Sequence, residues 1–478
     1  MSSIKKNFLY NSLYQILVMF IPLITTPYIS RVLGAQGVGT YSYAYSIANY
    51  FVLFIMLGLN NYGNRTIARV RDNEKKLSKT FWSIYALQLF LGIIINIIYV
   101  GYSFFISSNI YISLSMFFYV LSATFDINWL FFGLEKFKLT IIRNTTIKIL
   151  TTICIFWFVN TSKDIVVYCL IMTSGMLLSQ LLLWPYVIKK IKVYRPNFQD
   201  ISKHIKPNLI LFITVIAVSL FNIMDKIMLG IMTTKVEVGF YESSQKIIAI
   251  PTALITSLGT VMLPRMSNMV EKNEEQSNKL IYISIIFAMF LSTSLCFGIM
   301  GVSKEFVPLF YGAGYEKCIS LFLILLPTCL FLAFANVIRT QYLLPHQMDR
   351  AYVISAILGA IVNVSGNIIL IPNFGSIGAS ISTLLAETIV CIYQSNAVKR
   401  YQPIMLYVKK SMPFLFSGMI MFFVIFTITL PSSNIVSLLI KIILGICIYF
   451  IVLMCQLIIY RIITKKTFFN FNREMNRK

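Results

Sequence analysis

The stretch "RVLGAQGVGTY", Arg31–Tyr41, returns as "KIMLGIMTTKVEVGFY", Lys226–Tyr241, with a longer loop between the same landmarks. Each copy runs from an apolar segment into a cation, then Leu-Gly, a short loop, Gly-x-Tyr and a second apolar segment. A repeat of this kind implies two related halves. The copies differ in charge, since Ser42 and Ser46 of the first stand where the second has Glu242 and Lys246. Asp225 and Lys226 lead into the second copy.

The segments flanking both copies are too apolar to face water. Of 478 residues, 58% are hydrophobic and 12% charged, so the fold class is an all-α polytopic membrane protein. Spans of roughly 20 residues fit about fourteen times; the first two are expected at 8–30 and 39–62, the fourth at 109–133, the fifth at 141–160 and the seventh at 207–231. The repeat sets spans one to six (1–198) against seven to twelve (199–400), as two pseudo-symmetric six-helix lobes. Both lobes start on the same side of the membrane, so a cavity is expected between parallel repeats. Residues 401–478 hold two extra C-terminal helices and a basic tail.

The formal charge of +24 does not point to nucleic acid, because the cations fall in alternate loops. Arg65, Arg69, Lys75 and Lys79 fill the second loop, Lys136, Lys138 and Arg143 the fourth, and Lys189, Lys192, Lys203 and Lys206 the sixth. Lys272 in the eighth and Lys465 to Lys478 in the tail continue the series. The positive-inside rule then puts both termini in the cytoplasm. The N-terminal apolar run contains Pro22 and Pro27 and leads into further spans, so it reads as a retained first helix and not a cleaved signal.

Catalytic patterns are absent: the two histidines, His204 and His346, fall in loops where solvation is expected, and the eight cysteines form no C-x-x-C. No metal site or cofactor is expected. Ionisable groups inside spans are the informative residues. Asp225 and Lys246 each lie about six residues, roughly 9 Å, below the outer membrane face, and Glu242 shares a helix face with Lys246. Two roles stay open for this cluster, a salt-bridge network and substrate or ion handling. Asp126 and Lys148, each roughly 10 Å from the inner ends of their spans, read as a structural bridge. Glu387 is near the midplane with no cation close in sequence, which makes it a proton-carrier candidate or a permanently protonated carboxyl. Lys441 is expected to snorkel outward and Arg339 to anchor at the inner interface. Arg31 is either such an anchor at the outer face or a cavity cation.

Taken in order, "ISRVLGAQGVGTYSYAYSIANYF", "LGLNNYGNRTIAR", "MDKIMLG", "EVGFYESSQKI", "VMLPRMS", "VPLFYGAGY" and "LIPNFGSIGASIST" resemble the polysaccharide-transporter family of bacterial Wzx-type flippases. That family belongs to the multidrug/oligosaccharidyl-lipid/polysaccharide (MOP) exporter superfamily, so a MATE/MOP-like fold is implied. The resemblance also implies a transporter and not an enzyme. Its substrate would be an undecaprenyl-diphosphate-linked oligosaccharide, moved by alternating access from the inner to the outer leaflet of a bacterial plasma membrane. Capsule, exopolysaccharide and O-antigen assembly are the implied destinations, and a polysaccharide polymerase is the implied partner besides the bilayer. On this reading Arg31, Lys226 and Lys246 attract the diphosphate beside Asp225 and Glu242. Coupling runs through H+ or Na+ at Asp225, Glu242 or Glu387, or through membrane potential alone. The alternatives are a lipid II flippase, whose first-lobe arginine cluster is not evident here, and a cation-coupled multidrug exporter. A membrane glycosyltransferase or polymerase is weaker, since it would need a large polar loop.

Overall fold

The computed structural model describes residues 2–270, 274–430 and 434–464; Lys272 and the tail cations Lys465, Lys466, Arg473, Arg477 and Lys478 lie outside them. Every regular element among the described residues is helical. The chain forms two compact units, Met1–Gly230 with Thr234–Gly239, and Ile231–Thr233 with Phe240–Lys478.

The first unit opens with α1 (Ser2–Met56), which breaks at Gly34, the Leu-Gly landmark of the first repeat. Its backbone there has φ 65° and ψ 178°, a conformation that glycine adopts without a Cβ penalty. Then come α2 (Leu59–Val70), α3 (Glu74–Phe105), α4 (Ile110–Thr124), α5 (Asn128–Gly133) and α6 (Phe137–Phe158). They are followed by α7 (Ile165–Leu181), α8 (Trp184–Lys190), α9 (Phe198–Ser202) and α10 (Ile205–Met232). The second expected span, 39–62, ends earlier than its apolarity suggested, at Leu57 with φ 45°. Beyond it, α2 carries Arg65 and Arg69 on one face and buries Leu59, Tyr62 and Ile67 on the other. The second basic loop is therefore mostly an amphipathic helix, which a search for apolar runs does not detect. Asn73 starts α3 by accepting from the Lys76 backbone N–H at 3.0 Å.

The second unit contains most of α11 (Lys235–Val270), then α12 (Glu274–Gly301), α13 (Ser303–Tyr311), α14 (Lys317–Leu325) and α15 (Thr328–Ile338). It continues with α16 (Asp349–Phe374), α17 (Ser376–Val398), α18 (Ile404–Thr427) and α19 (Asn434–Thr464). Helices α16 and α17 form a tight hairpin about Gly375, at φ 57°. A Cβ at Gly378 would meet the Leu370 carbonyl, so this glycine lets the two helices close on each other.

Twelve segments among the described residues are long and apolar enough to cross a membrane, fewer than the fourteen expected. One of the twelve, Ile21–Val70, contains the break at Gly34. The expected seventh span corresponds to α10, a helix of 28 residues outside the twelve.

Lys441 departs from expectation. It does not snorkel: its side chain is 1% exposed and its Nζ lies 2.6 Å from Glu305 Oε1. The pair joins α13 to α19. A buried ammonium is tolerable only when a partner is this close, and removing either member of such a pair costs about 3–5 kcal/mol. The extra helix is thereby pinned by charge as well as apolar contact.

Candidate functional site

The fourth expected span, 109–133, is not continuous. Helix α4 stops at Thr124, α5 starts at Asn128, and Asp126 sits in the gap. A break inside a membrane helix frees backbone carbonyls that lipid cannot satisfy, so protein donors must reach them. Gln88 of α3, fully buried, donates from its Nε2 to the carbonyls of Ala123 at 2.7 Å and Asp126 at 2.8 Å. Trp184 donates to the carbonyl of Phe125 at 3.2 Å. Trp129 in turn donates to Gln88 Oε1 at 3.1 Å, which fixes the orientation of the amide.

The break shapes one wall of a cavity of about 530 Å³ within the first unit. Asp126 Oδ1 accepts from the backbone N–H of Asn128 at 2.9 Å and from its side-chain amide at 2.8 Å. The Oδ1 of the same Asn128 accepts from an Arg143 guanidinium nitrogen at 2.9 Å. Asn128 therefore couples a carboxylate to a guanidinium by presenting a donor to one and an acceptor to the other. Arg143 also donates to Asn144 Oδ1 at 2.6 Å and to Gln180 Oε1 at 3.3 Å. The network joins α5, α6 and α7. Tyr119 of α4 donates to Asn49 Oδ1 at 2.9 Å, and Asn60 and Asn61 also line the cavity. The lining is thus rich in amides, with two cations, Arg143 and Lys148, against one carboxylate, Asp126.

Both members of the expected inner pair reach this cavity, but as separate parts of its wall. The carboxylate of Asp126 is taken up by Asn128 instead of bridging Lys148. Arg143 is the residue that sequence reasoning missed. Grouped with Lys136 and Lys138, it looked like a loop cation; in the structure α6 begins at Phe137, before the expected 141, and Arg143 is 7% exposed. Its place about 9 Å into a helix was concealed by the polar run Asn144, Thr145 and Thr146 that follows it.

The cluster around the second repeat is divided. Asp225, 3% exposed, and Lys226 belong to the first unit, and Glu242 and Lys246 to the second. Glu242 and Lys246 do share a helix face as expected, with Oε1 3.9 Å from Nζ, which is a loose ion pair. Arg31 is exposed beside the Gly34 break. Arg31, Asp225 and Lys226 are absent from the wall of the 530 Å³ cavity. Glu387 lies within α17 of the second unit. Arg339 donates to Asn336 Oδ1 at 2.7 Å and stacks 5.6 Å from the Tyr352 ring, so it is held inside the helix bundle.

His204, expected to be solvated, is instead 4% exposed, with Nδ1 2.6 Å from the Tyr62 hydroxyl. Beside it Asp200 accepts from Tyr194 at 2.7 Å and pairs with Lys79 at 2.8 Å and Lys203 at 3.3 Å. This cluster fastens the connecting segment 191–204 to α2 and α3. Nothing in the local sequence distinguished it from an ordinary basic loop.

An intramembrane cavity lined with amides and a cationic excess can bind a hydroxylated, anionic molecule. Comparison with known proteins identifies the kind of chain that carries it. A family model described as polysaccharide biosynthesis protein matches residues 4–270. The chain belongs to that family. Among its relatives is the "Putative O-antigen transporter" of Escherichia coli (strain K12), 22% identical over 81% of this chain and 95% of that one. The "Probable low-salt glycan biosynthesis flippase Agl15" of Haloferax volcanii is 26% identical over 52% of each chain. Of solved structures, the lipid II flippase MurJ in an inward closed conformation superposes with TM-score 0.75 at 18% identity, over 96% of this chain and all of that one. An inward-facing multidrug resistance MATE family transporter of the MOP superfamily gives TM-score 0.59 at 12% identity, over 82% and 99%. The chain is a Wzx-type transporter with the MOP fold and not an enzyme, as the sequence resemblance implied.

Proposed function

We propose that this protein flips an undecaprenyl-diphosphate-linked oligosaccharide from the inner to the outer leaflet of a bacterial plasma membrane. The observation that carries the reading is the cavity at the broken α4–α5 helix, in a chain whose relatives are named as O-antigen transporter and glycan flippase. Sugar hydroxyls are donors and acceptors at once, and so are the amides of Asn49, Asn128, Asn144 and Gln180. A diphosphate accepts charge-assisted hydrogen bonds, for which Arg143 and Lys148 supply donors. Asp126 holds Asn128, and through it Arg143, in a fixed orientation before substrate arrives.

Alternating access then moves the bound headgroup across, while the prenyl tail stays in lipid. A charge of about −2 leaving a negative interior gains roughly 4.6 kcal/mol per 100 mV, so the membrane potential is sufficient to drive export. Antiport of H+ or Na+ through Asp225, Glu242 or Glu387 is the competing form of coupling, and a polymerase acting on the exported unit is the partner that fits. Capsule, exopolysaccharide and O-antigen assembly would all use this step.

The test is reconstitution with a polyprenyl-diphosphate oligosaccharide, scoring outer-leaflet exposure with a lectin, with and without an imposed potential. Arg143→Gln is expected to lower the rate at least about tenfold, the scale of one lost hydrogen bond to a charged group, and Arg143→Lys to recover part of it. Unchanged flipping by Arg143→Gln and Lys148→Gln would remove this cavity from the mechanism. Equal transport of lipid II, or of a cationic dye, would replace the substrate assignment.

A further inference from the structure

A second large cavity lies far along the chain from the candidate site. It measures about 690 Å³ and lies between α18 and α19 in the second unit. Its wall is polar at one end and, apart from Gln456, apolar along its length. Lys409 and Lys410, near the start of α18, meet Tyr460, near the end of α19. From there Pro413, Phe416 and Met419 continue the groove along α18.

Its two lysines are placed differently. Lys409 is exposed, whereas Lys410 is 5% exposed, with its Nζ donating to the Tyr460 hydroxyl at 3.3 Å and lying 4.9 Å from the ring centroid. Tyr460 thus holds one ammonium at the groove head, while the other is exposed. No carboxylate occurs among the described residues of the wall, so the head of the groove has a net positive charge. Basic pockets between membrane helices recognise anionic lipid headgroups by this combination of fixed cations and adjoining apolar channel.

We infer that this groove is a binding site for an anionic glycerophospholipid, with its phosphodiester between Lys409 and Lys410 and one acyl chain along Pro413, Phe416 and Met419. Length selects the occupant. From Lys409 to Met419 is ten residues, about 15 Å of helix, which is half of a hydrocarbon core of about 30 Å. That accommodates an acyl chain confined to one leaflet, and is short for a polyprenyl chain. The site lies on the helices that the six-helix repeat does not include.

Native mass spectrometry of the full-length protein, equilibrated with mixed micelles of phosphatidylglycerol and phosphatidylcholine, tests the inference. Wild type should retain phosphatidylglycerol preferentially. Lys409→Ala, which leaves the Lys410–Tyr460 contact in place, should reduce that preference about fivefold, as expected for one interfacial cation. A Phe416→Trp protein should show stronger quenching by phosphatidylglycerol brominated on its acyl chains than by the brominated choline lipid. Equal retention of the two lipids by wild type overturns the proposal, as does an unaltered preference in Lys409→Ala. Displacement of phosphatidylglycerol by equimolar polyprenyl phosphate would also overturn it, by assigning the groove to the prenyl lipid. Lys410→Met should abolish the preference; if that variant does not fold, Lys409→Ala and the Phe416→Trp quenching still decide the matter.

Discussion

His204 accommodates a positive charge poorly. Burial, with the Lys203 ammonium adding to it, pushes its imidazole from the ordinary value down to about 4. In the unfolded chain it protonates near pH 6.5, so between about 6.5 and 4 the unfolded state binds the extra proton and stability falls as pH falls. Asp200 beside it does not share this window, because Lys79, Tyr194 and Lys203 hold its carboxyl well below the usual range. The contribution of Asp200 is present above the unfolded carboxyl value and is lost only as pH falls below it. Thermal unfolding should therefore show a lower Tm at pH 4.5 than at pH 7. His204→Asn, whose amide oxygen can still accept from Tyr62, should remove most of that difference; an equal loss in the variant would place the sensitivity elsewhere. His204, Arg143 and Lys441 were all misread from sequence for one physical reason. For His204 and Arg143, basic neighbours suggest a solvated loop, and for Lys441 a lone cation in a span suggests snorkelling; in all three, burial is conferred by partners distant in the chain: Tyr62 for His204, Asn128 and Gln180 for Arg143, and Glu305 for Lys441. Glu242 with Lys246 was legible because the partners lie four residues apart on one helix.

At the scale of elements, the gap between α4 and α5 is the departure from expectation that matters for the site. Residues 125–127 read Phe-Asp-Ile inside an apolar run, with no glycine or proline to signal a stop, so a continuous span was the natural expectation. Its carbonyls are satisfied by Gln88 of α3 and by Trp184, which no local pattern specifies. Gln88→Leu should expose this dependence. The variant leaves the Ala123 and Asp126 carbonyls and the Trp129 N–H without their partner, at a cost of about 1–3 kcal/mol for an unsatisfied buried group. Tm should drop accordingly, and hydrogen exchange of the amides at 126–130 should accelerate selectively. Uniform acceleration across α3 to α7 would indicate that Gln88 serves general packing and not the break. The Gly34 break, by contrast, was marked in the sequence by a glycine at the repeat landmark.

For the whole molecule, membrane spanning and helical class followed from composition, and the repeat was visible because its landmarks are glycines. The structure explains why they had to be glycines. A Cβ on Gly39 would fall on the carbonyl oxygen of Lys235, and a Cβ on Gly239 would fall on that of Ala35. Gly39 follows Ala35 by four residues, as Gly239 follows Lys235, so equivalent positions of the two copies meet reciprocally within the first unit. Gly39→Ala and Gly239→Ala should each destabilise by about 1–3 kcal/mol, the usual range for forcing a side chain into a packed site. Gly101→Ala, in α3 with open space around it, should be neutral or gain up to about 1 kcal/mol. Urea or thermal titration of the three variants provides the comparison. Equal effects at all three would deny the reciprocal contact any special weight.

Because that contact is reciprocal yet lies within one polypeptide, its two sides can be changed one at a time, which a symmetric dimer of identical chains would never permit. Once the first substitution has pushed the backbones apart, the second meets a space already opened. The double variant Gly39→Ala/Gly239→Ala should accordingly cost less than the sum of its parts, by the margin typical of directly coupled sites, about 0.5–3 kcal/mol. That shortfall would measure how far the two halves of an internal duplication still depend on each other where they touch, while Ser42 and Ser46 have been free to diverge from Glu242 and Lys246.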